Sequence, residues 1–138
     1  MRQITCASPA YLRKYGEPKN LEDLKKHRAV NYVSRTTAKL FPFQFMVDGE
    51  LKEVAIDGAL SVFGAQIYAA SAIAGLGLIQ CPHYRMETLI SQGLVREILT
   101  NTPPPSMPVS VLYPHNKHMS PRVRVFVDWL GEVFAQAR

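Results

Sequence analysis

The chain has 138 residues and a mass of 15.5 kDa, with 47% apolar and 20% charged residues. This excludes a disordered segment, and at this length folding buries about 68–70% of the unfolded surface, enough for a core without staples. Lys and Arg number 16 against 11 Asp and Glu, so the net charge is +5 and the pI is near 9.4, which suits an anionic ligand or nucleic acid as well as a plain solvated surface.

Residues 4–7 form a short apolar run and predict a strand. Ser8-Pro9 follows as a cap with proline at the first helical position, and Gly16 closes that short helix. Asn20 caps a second helix with Leu21 and Leu24 as its apolar stripe, while Lys25, Lys26, His27 and Arg28 gather at its C-terminal end. Residues 29–33 read as a strand and 34–39 as a polar loop. Strands at 43–47 and 51–56 flank Asp48-Gly49, a hairpin signal. Residues 59–63 give another strand, and the Ala-rich stretch 65–74 a helix with Gly75 at its end. A buried strand at 78–81 is stopped by Pro82. A short helix at 86–91 closes at Gly93, and 94–99 is a strand.

Residues 100–108 hold four of the ten prolines and mark a connector. A strand is expected at 109–113 and a loop at 115–119. Ser120-Pro121 then repeats the cap-and-proline signal. Val123, Phe126, Val127, Leu130, Val133, Phe134 and Ala137 fall on one helical face, which predicts a helix burying that stripe against a sheet. On that reading Phe126→Asp destabilises the fold. Alternating strands and helices specify an α/β protein with a largely parallel sheet, and in such sheets ligands bind beyond the carboxyl ends of the strands.

Chemistry-bearing motifs are sparse. Cys6 and Cys81 are too few for a disulfide framework and fit a reducing compartment. The N-terminal residues carry no signal-peptide core, and the apolar run 69–79 is too short to span a bilayer. The expected location is therefore cytoplasmic, without membrane association. His115 and His118 have metal-like spacing but no Cys or acidic partner nearby, so no metal site is expected. Cys81-Pro82-His83 lacks an orienting group for a nucleophilic pair, and an inert Cys81 is expected. Gly75-Leu76-Gly77 follows a helix instead of opening one, so it reads as close packing and not a phosphate loop. With no nucleophile–base pair and no cofactor motif, an enzyme is not expected. The early basic residues lack interleaved aromatics and read as a solvated face. The positive signal is Ser61-Val62-Phe63-Gly64, a strand feeding a helix, where glycine permits close approach and first-turn amides attract a carboxylate.

In order along the chain, these residues resemble the effector-binding domain of LysR-type transcriptional regulators. The opening is Cys6-Ala7-Ser8-Pro9-Ala10-Tyr11-Leu12, then Gly16-Glu17-Pro18, Leu21-Glu22-Asp23-Leu24 and His27-Arg28. The Asp48-Gly49 hairpin, the pocket strand Gly58-Ala59-Leu60-Ser61-Val62, the step from Ala72 to Leu78 and the corner Gln80-Cys81-Pro82 follow. Val111-Leu112-Tyr113-Pro114 and the helix from Arg122 to Leu130 complete the pattern. Phe63-Gly64 stands where the family often has a polar pair such as Asn-Asp, which favours a more apolar or aromatic ligand. Phe43 stands where Trp is common.

The resemblance implies a type II periplasmic-binding-protein-like fold: a mixed, largely parallel sheet flanked by helices, mainly the second of two subdomains. Residues 1–99 would be that subdomain, 100–108 a hinge, and 109–138 the last strand and helix of the first subdomain. It implies a small-molecule-sensing and oligomerising part of a DNA-binding regulator, without the winged helix-turn-helix. A free-standing solute-binding domain with no DNA role is the alternative. Expected partners are a small organic effector, aromatic or a carboxylate, and further copies in a dimer or tetramer. DNA would be reached only through an N-terminal domain this sequence lacks. The expected effector-binding residues are Val62, Phe63, Gly64 and Ile67 as the strand-to-helix wall, Tyr32, Ser34 and Arg35 on a neighbouring loop with Arg35 as carboxylate partner, and Pro82 at the corner.

Overall fold

The computed structural model describes residues 1–112 and 120–136. The chain divides into two compact units, Arg2–Ser106 and Met107–Arg138 with Met1.

In the larger unit, β1 (Gln3–Ala7) leads through a Ser8 cap into α1 (Pro9–Tyr15). The Ser8 Oγ accepts from the Tyr11 N–H at 3.2 Å, and Gly16 ends the helix. Residues Glu22–Lys26 form a 3₁₀ helix, tighter than the expected α-helix. Asn20 still acts as foreseen, its Oδ1 accepting from the Asp23 N–H at 3.0 Å. A five-residue turn flanked by Pro18 and strand β2 (Arg28–Tyr32) has no length in which to develop α-helical bonding. The hairpin β3 (Phe43–Val47) and β4 (Glu50–Val54) turns on Asp48 and Gly49, both at positive φ, as a two-residue primed turn requires. Then come β5 (Asp57–Val62), α2 (Ala65–Ile73), β6 (Ile79–Pro82), α3 (His83–Ser91) and β7 (Arg96–Ile98).

The sheet is mixed, but parallel pairing does not dominate it. β2 pairs parallel with β5, and Ala29 bridges Leu78 in parallel just ahead of β6. β1 lies antiparallel between β6 and β7. The reason is topological. The crossover β6–α3–β7 makes β6 and β7 parallel to each other, yet β1 occupies the slot between them in reverse. Alternation of strands and helices in sequence fixes the first relation and says nothing of the second.

Every residue of β1 is buried because both faces of the sheet are covered. On one face Ala7, Tyr11, Leu24, Phe45 and Ile98 pack under α1 and the hairpin. On the other Ile4, Val30, Val62, Tyr68, Ala72 and Met86 pack under α2 and α3. Gly77 lets two chain segments meet. A Cβ there would stand 2.7 Å from the Arg28 carbonyl oxygen and 2.8 Å from the Ala29 carbonyl carbon, so the Gly75-Leu76-Gly77 run is a packing device, as its position after a helix suggested.

In the smaller unit, α4 (Pro121–Gln136) starts at Ser120, whose Oγ accepts from the Val123 N–H at 3.4 Å. The strand expected at 109–113 is not formed: residues 109–112 are without regular structure, and Tyr113 lies outside the described residues. The loop at 115–119, with His115 and His118, also lies outside them. Among the described residues of this unit no strand is available to cover the α4 stripe. Val123, Phe126, Trp129, Val133 and Phe134 are exposed, Phe126 by 56%. The expected burial of this face against a sheet is not found within this unit.

Candidate functional site

Strands β2, β5 and β6 run in one direction, so Tyr32, Val62 and Pro82 all end at one edge of the sheet. The N-termini of α2 and α3 open at the same edge. That is where open α/β sheets bind ligands.

Tyr32 stands directly opposite Val62 in the β2–β5 ladder. The Val33 N–H donates to the Val62 carbonyl at 2.9 Å and the Phe41 N–H to the Tyr32 carbonyl at 2.9 Å. The intervening loop is pinned by Ser34: its N–H donates to Lys39 O, its carbonyl accepts from Ala38 N, each at 2.9 Å, and its Oγ accepts from Thr37 N at 3.2 Å. Ser34 is thus spent on loop structure. Arg35 projects from this loop, exposed, and forms no ion pair among the described residues.

The side chains after β5 separate by strand parity. Val62 is buried in the core beneath α2, whereas Phe63 and Ile67 are 55% and 57% exposed. Successive residues of an extended chain face opposite ways, so only one of Val62 and Phe63 can line the edge. Val62 contributes its carbonyl and its packing, not a wall. Gly64 caps α2 with φ 94°, and a Cβ there would touch nothing within 4 Å. No side chain caps that helix, so its first-turn N–H groups have no side-chain cap partner. Pro82 sits two strands across the same edge, opposite Gln3, at the start of α3. Tyr32 thus shares Val62's side and packs against the core under α2, Phe63, Gly64 and Ile67 make the exposed step from β5 into α2, Arg35 lies on the loop after β2, and Pro82 stands at a separate corner.

Two aromatic residues at this edge went unread in the sequence. The Phe41 ring lies 5.7 Å from that of Tyr32, and Tyr68 meets Tyr32 edge-on at 5.2 Å. Tyr68 follows Gly64 by one helical turn, which is the signal that would have found it. Its hydroxyl accepts from the Gln80 N–H at 3.0 Å. Burial pushes that hydroxyl well above the ordinary tyrosine range, with the Gln80 N–H opposing, so it stays neutral.

Nucleophilic chemistry finds no support here. Cys81 is buried, and the His83 Nδ1 lies 3.2 Å from Glu87 on its own helix. The neighbouring Cys81 thiol and burial hold the Cys6 thiol far above its usual range, so it carries no thiolate. Among the described residues no group of three or more His, Cys, Asp or Glu is placed to hold a metal.

The chain belongs to the LysR substrate binding domain family, whose model matches residues 1–135. It is 28% identical over 136 residues to the uncharacterized HTH-type transcriptional regulator YhjC of Escherichia coli K12, covering 99% of this chain and 46% of that protein. It is 24% identical over 127 residues to the HTH-type transcriptional regulator CrgA of Neisseria meningitidis MC58, covering 91% of this chain and 42% of that one. The chain therefore spans less than half the length of these regulators. Among solved structures, the CrgA regulatory domain superposes with a TM-score of 0.68 at 22% identity over 95% of this chain and 63% of that one. The regulatory domain of AphB from Vibrio vulnificus superposes with a TM-score of 0.66 at 22% identity over 96% and 64%. The fold is the type II periplasmic-binding-protein-like fold of these regulatory domains.

Proposed function

We propose that this chain is the small-molecule-sensing and self-associating part of a LysR-type DNA-binding transcriptional regulator. It acts in the cytoplasm and reaches DNA through a separate N-terminal domain of the whole regulator. It has no catalytic role. Residues 1–99 form the second effector subdomain, 100–108 the hinge, and 109–138 the return into the first. The observation that carries the effector site is the edge beyond β2 and β5, where Phe63, Ile67 and Phe41 are more than half exposed, Phe41 beside Tyr32, with Arg35 exposed on the loop after β2 and in no ion pair among the described residues. Exposed apolar side chains at one strand end with a guanidinium on the adjoining loop fit a small organic molecule with an aromatic body and a carboxylate. No transmembrane helix competes with this reading among the described residues. Effector binding shifts the balance between arrangements of a dimer or tetramer. It does so only through unequal affinity for the two, and coupling of about 1–3 kcal/mol is typical.

The test is a titration with phenylacetate followed by amide chemical shifts, on the unaltered chain and on Phe63→Ala and Val62→Ala. Saturable shifts are expected at residues 32–35 and 63–67. Phe63→Ala weakens binding at least threefold with little change in Tm, because half its ring already faces water. Val62→Ala lowers Tm by several degrees, since removing a buried Val's methyls costs about 1.5–3 kcal/mol. A large Tm loss from Phe63→Ala with binding intact, or no saturable shifts at this edge, overturns the reading.

A further inference from the structure

Between β2 and β6 the sheet is joined at its amino end and opened at its carboxyl end. The Leu78 N–H donates to Arg28 O at 2.8 Å, and the Val30 N–H to Leu78 O at 2.9 Å. In a strand the N–H groups of residues i and i+2 point to the same side. The Gln80 N–H therefore faces β2 as the Leu78 N–H does, yet it donates to the Tyr68 hydroxyl, not to β2. Tyr68 comes from α2, is 6% exposed, and fills the place a strand partner would take. Its ring then forms a T-shaped pair with Tyr32, the last residue of β2, at 5.2 Å and 73°. One side chain so ties together the ends of β2 and β6 and the helix that starts at Gly64.

We infer that Tyr68 is a positioning residue for effector recognition: its hydroxyl, held by the β6 backbone, fixes the ring against which Tyr32 is oriented toward the ligand edge. The inference rests on the effector reading of that edge. Tyr32 has aromatic neighbours on two sides, Tyr68 edge-on at 5.2 Å and Phe41 tilted at 5.7 Å. Edge-to-face pairs have a preferred geometry, so a ring free to shift at position 68 lets Tyr32 shift too. Tyr68 itself is too deeply buried to be a wall of the site.

The experiment compares the chain with its Tyr68→Phe and Tyr68→Leu variants. Tyr68→Phe keeps the ring and removes only the hydroxyl. Aromatic carbon–proton spectra of the ligand-free proteins report Tyr32 and Phe41 directly, and phenylacetate titration reports the edge. Tyr68→Phe is expected to move or broaden the Tyr32 ring signals and to weaken phenylacetate binding about 2- to 10-fold, the range set by one net hydrogen bond. Tyr68→Leu is expected to do both more strongly. Tyr32 signals unchanged in Tyr68→Phe overturn the inference, as do shifted signals with an unchanged dissociation constant, which would make Tyr68 a packing residue only. Failure of the effector reading shows separately, as absence of saturable phenylacetate shifts in the unaltered chain.

Discussion

The hairpin β3–β4 pairs within itself and is held to the rest of the larger unit by the buried Phe43 and Phe45, by the Met46 N–H donating to Pro103 O at 2.8 Å, and by the side chain of Gln80. The Gln80 Oε1 accepts from the Gln44 N–H at 2.9 Å, and its Nε2 donates to Gln44 O at 2.9 Å and to the Thr5 hydroxyl at 3.0 Å. The primary amide engages both polar groups of the Gln44 backbone, as a neighbouring strand's peptide would. Gln80→Leu has similar volume and removes all three bonds. A net hydrogen bond contributes about 0.5–1.5 kcal/mol, so the set contributes roughly 1.5–4.5 kcal/mol. Thr5 is buried and Gln44 half-buried, and unpaired groups at such sites carry a desolvation penalty, so the expected loss lies near 3 kcal/mol.

Urea denaturation measures the loss, and hydrogen exchange locates it. Amides of β3 and β4 should exchange faster in Gln80→Leu, while β1 amides, paired on both sides by β6 and β7, keep their protection relative to global unfolding. Gln80→Glu is a finer probe. It keeps an acceptor for Gln44 N but sets a carboxylate against Gln44 O, so it should lose stability as pH rises through the carboxylate range. A Gln80→Leu loss below about 0.5 kcal/mol, or uniform acceleration of exchange, would show that apolar packing of Phe43 and Phe45 holds the hairpin instead.

Two further outcomes follow from the same geometry. Gly77→Ala places a Cβ 2.7 Å from the Arg28 carbonyl oxygen, a backbone atom that cannot swing aside, so a loss of about 1–3 kcal/mol is expected by urea titration, and an unchanged midpoint would refute the close approach. His27 is buried with its Nδ1 3.0 Å from the Tyr11 hydroxyl, which in turn accepts from the Arg28 N–H at 2.9 Å; burial lowers its pKa, opposed by the Asp23 charge. The unfolded chain therefore binds a proton at His27 more readily than the folded one. Stability is full above the unfolded value of about 6.5 and declines as pH falls below it toward the folded value. Urea midpoints between pH 8 and 5 should show this decline, reduced in His27→Gln, and an identical slope in that variant would assign it elsewhere.

Element order was legible because local rules dictated it. The Ser8-Pro9 cap, the Asp48-Gly49 turn and the glycine after α1 each act through a few neighbouring residues. What escaped is non-local. Nothing in residues 3–7 states that β1 runs against both its neighbours, since direction is set by where β6 and β7 place their edges. Periodicity finds amphipathic faces, and it found the α4 stripe, but a face carries no record of what covers it. Of the site, the strand-to-helix step at Val62–Gly64 was visible as composition. The division of labour within it, Val62 inward and Phe63 outward, follows from strand parity. Tyr68 and Gln80 were hidden for a different reason: each uses a side chain in place of a backbone partner, and pattern rules treat side chains as apolar or polar only.

The edge also sets a bound on how tightly it alone can hold a ligand. Enclosed pockets bury about 70–90% of a small ligand's surface. A single edge lined by half-exposed residues covers one side of a ring. An aromatic body of ~150 Å², half covered, gains about 2 kcal/mol at ~25 cal/mol/Å². A charge-assisted bond to Arg35 adds about 1.5–3 kcal/mol. The total of roughly 3.5–5 kcal/mol corresponds to a dissociation constant of about a millimolar, before losses of motional freedom weaken it further. Phenylacetate binding near or above a millimolar is therefore the expected result for this edge. Micromolar binding would need a second surface closing over the ligand, contributed either by a further segment of the proposed whole regulator or by a second copy. Dilution separates these two, because affinity that depends on a second copy falls as the protein concentration drops below that of self-association.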